Sequence, residues 1–481
     1  MEAIKKPPTI YEINTPVFLY EVGKRAGHTV TLATVPDAEW DAIARPGIDT
    51  VWFMGIWQRS AIAKEMAKSE EWLQDALPDM RVEDLLGSAY SISDDVVDAS
   101  FGGNDGLAQA RVELRRRGIG IMLDYVPNHV GIDHVWATTP EYSDHFLPGT
   151  PDELAAHPEA FVQTHIGIVA KAKDPNFEPW SDVLQLNAFS PTLRTEVAAT
   201  LSAIAGMCDG VRCDMAMLMM NTIFKATWGE RAADVPADEY WPAIIAAARQ
   251  ANPDFIFLAE VYWDRQQDLL AQGFDFCYDK DLYDYLLDGS VDRIIQHLQQ
   301  PASYQQHLLR FLENHDEERA AKEFPLEKHI AAAVITAMLP GAQLYHDGER
   351  EGRTIRVPVH LGRRTDEPVN DLVALFYDKL WAYKASKKCI QGNWQFIPVY
   401  TSFWHRTSHQ VVAWQWTSEG NRCVIIVNYS PEKASVTVGA KVDHPTSADD
   451  ISVGSVDASR YLHGSQVTLE PWAHVILSFA R

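Results

Sequence analysis

Acidic and imidazole side chains recur just past apolar, strand-like runs of this 481-residue chain. Asp124 and His129 fall in LDYVPNH, Asp214 follows GVRC, Glu260 follows FIFLA, and His315 and Asp316 close LENHD. Two carboxyl groups of unequal proton affinity are the equipment for cleaving a glycosidic bond with retention: one attacks as carboxylate, the other donates a proton, about 5 Å away. Asp214 and Glu260 are the candidates for that pair. Alternation along GVRCD puts Arg212 and Asp214 on one strand face and Val211 and Cys213 on the other. A cation beside Asp214 is expected to keep it ionised. The apolar run before Glu260 is expected to desolvate that carboxyl, and the charge of Asp214 pushes its pKa up as well. Each segment alone has a plainer reading as an ion pair or a turn. Their ordered recurrence at strand ends is what argues for a site.

Groups so distant in sequence meet only if a repeating fold delivers them to one place. The first three quarters of the chain alternate helical patterns with apolar strands, the signature of a βα-repeat fold. VWFMGIW (51–57) is one such strand. From 104 to 124 the unit reads Asn104 as N-cap, Leu107, Val112 and Leu114 as the apolar face, Gly118 as stop, and IGIML as a strand ending on Asp124. A second unit has Ser190 as N-cap, Pro191 at the first helical position and Leu193, Val197, Leu201 and Ile204 at helical spacing, then runs into CDGVRCD. The pattern recurs at YWPAIIAAARQANPDFIFLAE, LLRFLENHD and GAQLYHD. A (β/α)8 barrel over residues 1–130 and 190–388 gathers such strand ends on one face, where barrel active sites form. Residues 131–189 are too long for an ordinary connection and read as a subdomain inserted on that face. From 389 to 481 short strands without helices (VVAWQWT, CVIIVNY, ASVTV, AHVILSF) predict an antiparallel β-sandwich domain.

Composition narrows the function classes. Hydrophobic residues at 46% and charged residues at 22% are globular values. Forty-two basic against sixty-six acidic residues give a formal charge of −24, which repels nucleic acid and anionic membranes but is indifferent to neutral sugars. Prolines and a glutamate interrupt the amino-terminal MEAIKKPPTIYEINTP where a secretory leader needs an apolar run, and no stretch is long enough to span a bilayer. The expectation is a soluble cytoplasmic protein. Cys208, Cys213, Cys277, Cys389 and Cys423 form no close pair in sequence and are expected to be free, mostly buried thiols in a reducing compartment.

Taken in order, DYVPNH (124–129), GVRCD (210–214), LAEVYW (258–263) and FLENHD (311–316) resemble the four sequence regions of the α-amylase superfamily, glycoside hydrolase family thirteen. AYSISDDVVDASFGG (89–103) resembles the stretch in which that family keeps a sugar-stacking tyrosine. The resemblance implies Asp214 as nucleophile, Glu260 as general acid/base and Asp316 as a third carboxylate gripping sugar hydroxyls. It further implies His129 and His315 as hydroxyl ligands, Tyr90 as the stacking ring, Arg212 beside the nucleophile, and Asp124 and Asn128 in support. The implied activity is retaining hydrolysis of intracellular α-glucosides or short α-gluco-oligosaccharides through a glycosyl-Asp214 intermediate, with a small carbohydrate as partner. A transglycosylase or phosphorylase intercepting the same intermediate, and a non-catalytic barrel relative, are the alternatives. Oligomeric state leaves no signature.

Two departures from the family pattern stand out. MAMLMM (215–220) occupies the place where many starch-degrading relatives carry a Lys-His pair that contacts the aglycone and, through the histidine backbone, a calcium ion. An apolar run there reads as core, against a long polymeric aglycone site. Asn128 leaves one calcium ligand open, but without a complete set or a DxDxDG loop no metal and no other cofactor is expected. GSAY places Gly87 where exo-acting α-glucosidases carry an aspartate three residues before the stacking tyrosine. After the last barrel strand, Arg350, Arg353, Arg356, Arg363 and Arg364 form either a patch for an anionic group or ion pairs with Glu349, Glu351, Asp366 and Glu367, the second being favoured. Trp57, Trp136, Trp180 and Trp263 suit sugar platforms and core packing equally.

Overall fold

A computed structural model describes residues 6–400, 408–463 and 466–480, so the first five residues of the amino-terminal stretch read above lie outside the described part. Eight parallel strands close into a barrel: β1 Thr9–Asn14, β2 Thr50–Met54, β3 Gly120–Tyr125, β4 Gly210–Cys213, β5 Ile256–Ala259, β6 Phe276–Tyr278, β7 Leu308–Arg310 and β8 Ala342–His346, with β8 returning to β1. Strands buried on both faces need continuous apolar sequence, and TVWFM of β2 is buried throughout. The register places Arg212 beside Asp124 on one side and Leu258 on the other. The (β/α)8 fold read from the sequence is therefore the observed one.

The helix before β4, Pro191–Met207, starts as its sequence requires. Ser190 Oγ accepts the Leu193 N–H at 3.2 Å, Pro191 takes the first position, and Leu193, Val197, Leu201 and Ile204 are buried. The helix before β3 differs from expectation. It runs Gly103–Arg116 from Gly102 in a left-handed conformation, because the preceding 3-10 turn Ala99–Phe101 leads straight into it. Asn104 thus lies inside the first turn and accepts the Val97 N–H instead of capping. Val112 is solvent-exposed, and the buried stripe is Leu107, Ala110 and Leu114.

Between β3 and the helix Pro191–Met207, His129–Gly131 pairs antiparallel with Val183–Gln185, and Phe161–Thr164 with Gly167–Ala170. Beyond the helix Asp371–Ser386 lie antiparallel sheets of six and four strands, with Val411, Val424, Val436, Val467 and Leu477 between them. The larger sheet also packs Trp414, Trp416 and Ile425 against the helix Leu326–Met338, in one core with Val334 and Met338. Both indoles donate to the Met338 carbonyl, at 3.1 and 2.8 Å, satisfying an orphan acceptor at that helix's end.

The cysteine expectation needs correction. Cys389 and Cys423 are joined in a disulfide, with Cα atoms 6.4 Å apart, while Cys208, Cys213 and Cys277 are free and buried. The pairing brings the end of the barrel's last helical segment onto a strand of the six-stranded sheet, a meeting that only the tertiary fold creates. Among the described residues no helix is long and apolar enough to cross a membrane.

Candidate active site

The strand ends carry the acids into one cluster. Asp214 and Glu260 each sit one residue beyond a strand, yet their backbone N–H groups still belong to the ladder: Asp214 donates to the Tyr125 carbonyl at 2.8 Å and Glu260 to that of Cys213 at 3.0 Å. That backbone anchoring aims both side chains into the barrel mouth. Arg212, fully buried on β4, joins them with the two ends of one guanidinium, Nη1 lying 2.8 Å from Asp214 Oδ1 and Nη2 2.8 Å from Glu260 Oε2. The same group approaches Asp124 at 3.8 Å and Asp316 at 3.9 Å. The rings of Trp52, Tyr90 and Tyr278 surround its carbon at 5.3–5.7 Å, cation–π contacts in a dry setting.

Burial and charge then separate the carboxyls. Burial raises Glu260 and the neighbouring Asp214 charge adds to it; against the opposing pull of Arg212 the carboxyl reaches about 7. Its Oε2 accepts the Met215 N–H at 2.7 Å and its Oε1 the Tyr262 hydroxyl at 2.8 Å. For Asp214 the expectation of a depressed pKa fails in sign. Burial raises it, and the charges of Asp316 and Asp124 add to that, against the charge and hydrogen bond of Arg212. Asp316, whose side chain is 48% exposed at the mouth, is held at about 2 against partial desolvation by the charge and hydrogen bond of His315. His315 itself would be depressed by burial, but Asp316 and Glu12 raise it well above its usual value. Its Nε2 lies 3.0 Å from Asp316 and 2.7 Å from the Tyr90 hydroxyl, and Nδ1 lies 2.5 Å from Glu12.

The other residues singled out in the sequence fall around this centre. Half-buried Tyr90 stacks on His315 with centroids 5.3 Å apart, its hydroxyl 3.3 Å from Asp124 Oδ1. Asp124 Oδ2 accepts the Gly55 N–H, tying the loop after β2 to the centre. His129 is buried, is pushed down to about 4 by desolvation and so stays neutral, and lies 5.1 Å from the Trp180 ring. Asn128 is buried, and its Oδ1 accepts a hydrogen bond from Gln185 Nε2 at 2.9 Å. Glu12, Tyr262, Tyr278 and Trp52 complete the constellation without having been singled out. Glu12 carries a signal in retrospect, an acid inside the apolar strand TIYEIN.

The departures have structural causes. Gly87 has φ +81°, and a Cβ there would stand 2.8 Å from the Lys64 backbone nitrogen, so no side chain fits. Ala216, Met217, Leu218 and Met219 form a buried 3-10 turn, as core. Met215 differs. It is partly buried and, with Phe177, Tyr262, Trp263 and Lys280, lines a cavity of about 390 Å³ next to Glu260. Trp57 and Trp136 are core residues, whereas Trp263 is 38% exposed. The arginine cluster disperses into ion pairs, mostly with partners other than those expected. Arg350 pairs with Glu351 and Asp378, Arg363 with Asp79 and Asp84, and Arg364 with Glu21 and Asp347. Arg353 lies 3.9 Å from Glu21, and Arg356 donates to the Asp316 carbonyl.

Residues 46–274 match the family model for the α-amylase catalytic domain. A curated relative, α-amylase MalA of Haloarcula japonica, is 22% identical over 338 residues, 68% of this chain and 45% of that protein; the chain thus spans about half its length. Among solved structures, the α-amylase of H. orenii superposes with a TM-score of 0.72 at 15% identity, covering 99% of this chain and 100% of the other. The maltogenic α-amylase AmyB of Thermotoga neapolitana gives 0.67 at 20% identity, covering 98% and 99%. The cyclic α-maltosyl-(1→6)-maltose hydrolase of Arthrobacter globiformis gives 0.68 at 17% identity, covering 98% and 99%.

Proposed function

We propose that this chain, which belongs to the α-amylase superfamily of glycoside hydrolases, hydrolyses short α-glucosides or α-gluco-oligosaccharides with retention of configuration. The observation that carries the reading is the Asp214–Arg212–Glu260 bridge. One guanidinium holds both carboxyls side by side, which suits a double displacement at about 5 Å better than the wider gap that an inverting enzyme leaves for water. Glu260, with a pKa of about 7, is about half protonated at neutral pH, and the protonated form delivers its proton to the departing oxygen. Asp214 attacks the anomeric carbon as carboxylate and forms the glycosyl ester. Glu260, now ionised, draws a proton from water to open that ester. Asp316, ionised, and protonated His315 grip the sugar hydroxyls on the opposite side, and Tyr90 supports the ring.

The leaving group departs past Glu260 into the cavity of Met215, Tyr262, Trp263 and Phe177. Phe177, Tyr262 and Trp263 offer aromatic faces on which sugar units stack, and Asp174, Gln266, Lys280, Asp281 and Asp284 offer polar groups for their hydroxyls. The same walls hold an acceptor sugar equally well, which makes transglycosylation the second reading. The reaction as proposed uses no cofactor.

Incubation with 5-fluoro-α-glucosyl fluoride, followed by proteolysis and mass spectrometry, is expected to place one glycosyl unit on the peptide containing Asp214, and none in Asp214→Asn. NMR of early products is expected to show the α-anomer. A β-anomer appearing first, or a label on another residue, overturns the mechanism.

A further inference from the structure

The first strand of the inserted segment meets the barrel at Asn128 and His129, and across the junction the side chain of Gln185 reaches Asn128. Gln185 is fully buried, and Asn128 nearly so. The amide nitrogen Nε2 of Gln185 lies 2.9 Å from Asn128 Oδ1, 3.0 Å from the Asn128 carbonyl and 3.0 Å from the Leu186 carbonyl. Three oxygens therefore converge on one nitrogen. The orientation of the amide follows from this, because the opposite choice would set its carbonyl against three other acceptors. Its cost is visible: Gln185 Oε1 is buried with no hydrogen-bond partner.

Convergent carbonyl-type oxygens around a point are what a hard cation recruits, and many starch-degrading members of the superfamily hold calcium through an asparagine at the place of Asn128. Calcium needs six to eight oxygens at about 2.3–2.6 Å, several of them charged. Here the donors are three neutral oxygens, and the centre already holds a nitrogen with its two hydrogens. Among the described residues no group of three His, Cys, Asp or Glu side chains could hold a metal ion. The residues present do not fit the ion. We infer that the Gln185 amide takes the cation's place, so that the junction between the inserted segment and the barrel is built without a divalent metal.

The consequence reaches the active site. His129 is the register partner of Gln185 in the short sheet, and its Nδ1 lies 3.4 Å from Asn128 Nδ2. The amide therefore positions His129 as a bound ion would, but with no dependence on free calcium. The inference concerns folding and metal binding, and its test does not depend on which glycoside is cleaved.

Thermal unfolding of the full chain in EDTA and in millimolar CaCl2, at matched ionic strength and with MgCl2 as control, is expected to give one midpoint in all three. Isothermal titration with CaCl2 is expected to show no saturable binding. Gln185→Glu replaces the donor by a carboxylate facing three carbonyl oxygens. It is expected to lower the midpoint by several degrees, in EDTA and in calcium alike. A wild-type midpoint that rises with calcium, saturable calcium binding by the wild type, or a Gln185→Glu protein as stable as the wild type overturns the inference. Should Gln185→Glu not fold, the wild-type titration decides alone.

Discussion

Removing one hydroxyl should extend activity into alkaline solution. Three contacts favour the ionised form of Glu260: it accepts hydrogen bonds from the Tyr262 hydroxyl at 2.8 Å and the Met215 N–H at 2.7 Å, and the charge of the Arg212 guanidinium lies 2.8 Å away. Against them, burial and the charge of Asp214 hold the balance near 7. Tyr262→Phe deletes the first contact and leaves the others. A hydrogen bond to a charged group contributes about 1.5–3 kcal/mol, and one pKa unit corresponds to about 1.4 kcal/mol, so the Glu260 pKa should rise by roughly one to two units. The sign follows from the proposed role: as a general acid Glu260 works protonated, so activity is expected to be lost as pH rises through its pKa. At 1.5 units above the wild-type pKa, a one-unit rise lifts the protonated fraction from about 3% to about 24%, so the variant should outperform the wild type there by roughly eightfold. The assay is kcat/KM against pH on an α-glucoside whose leaving sugar needs protonation, with an activated aryl glucoside as control. An alkaline limb that stays in place or moves down refutes the reasoning, and a uniform loss without a shift means the tyrosine only orients the carboxyl.

Two further outcomes follow from geometry already described. Gly87→Asp, which restores the residue of exo-acting relatives, should lower the thermal midpoint without adding exo-glucosidase activity; left-handed strain alone costs about 1–2 kcal/mol and the Cβ meets the Lys64 backbone. Calorimetry of Gly87→Ala and Gly87→Asp checks it, and an unchanged midpoint in both removes the steric argument. Arg212→Lys keeps the charge but cannot span Asp214 and Glu260 together, so kcat should fall on the order of 10²-fold with the fold intact by circular dichroism. Near-wild-type turnover would dismiss the bridge as a catalytic feature.

What the sequence showed was what is local. The helix Pro191–Met207 announces itself through Ser190, Pro191 and a four-residue apolar stripe, all within a few turns. Asp214 and Glu260 stand at strand ends that alternation and hydrophobicity locate. Groups that act through closure of the barrel were silent. Glu12 looks like a solvent-side acid until the ring of strands turns its face towards His315. The arginines after β8 find Glu21, Asp79, Asp84 and Asp378, residues far away in sequence, and Cys389 finds Cys423 for the same reason. The sign of the Asp214 shift was missed because alternation shows that a cation is adjacent but not how deeply the carboxyl is buried or which anions surround it. Asn104 was misread by two residues, a typical error where a 3-10 turn runs into a helix.

The two indoles that share the Met338 carbonyl bear on how the molecule could be cut. Met338 ends the helix leading into β8, the strand that closes the ring against β1. Excising everything after residue 388 would strip that carbonyl of both donors and uncover the apolar flank on which Trp414 and Trp416 rest, at the seam where the ring is sealed. The trailing sheets therefore serve as a buttress, and a shortened barrel would lose its last strand before its first. Melting should be a single cooperative event shared by both parts, and grafting this barrel onto another partner would require the two tryptophans to travel with it.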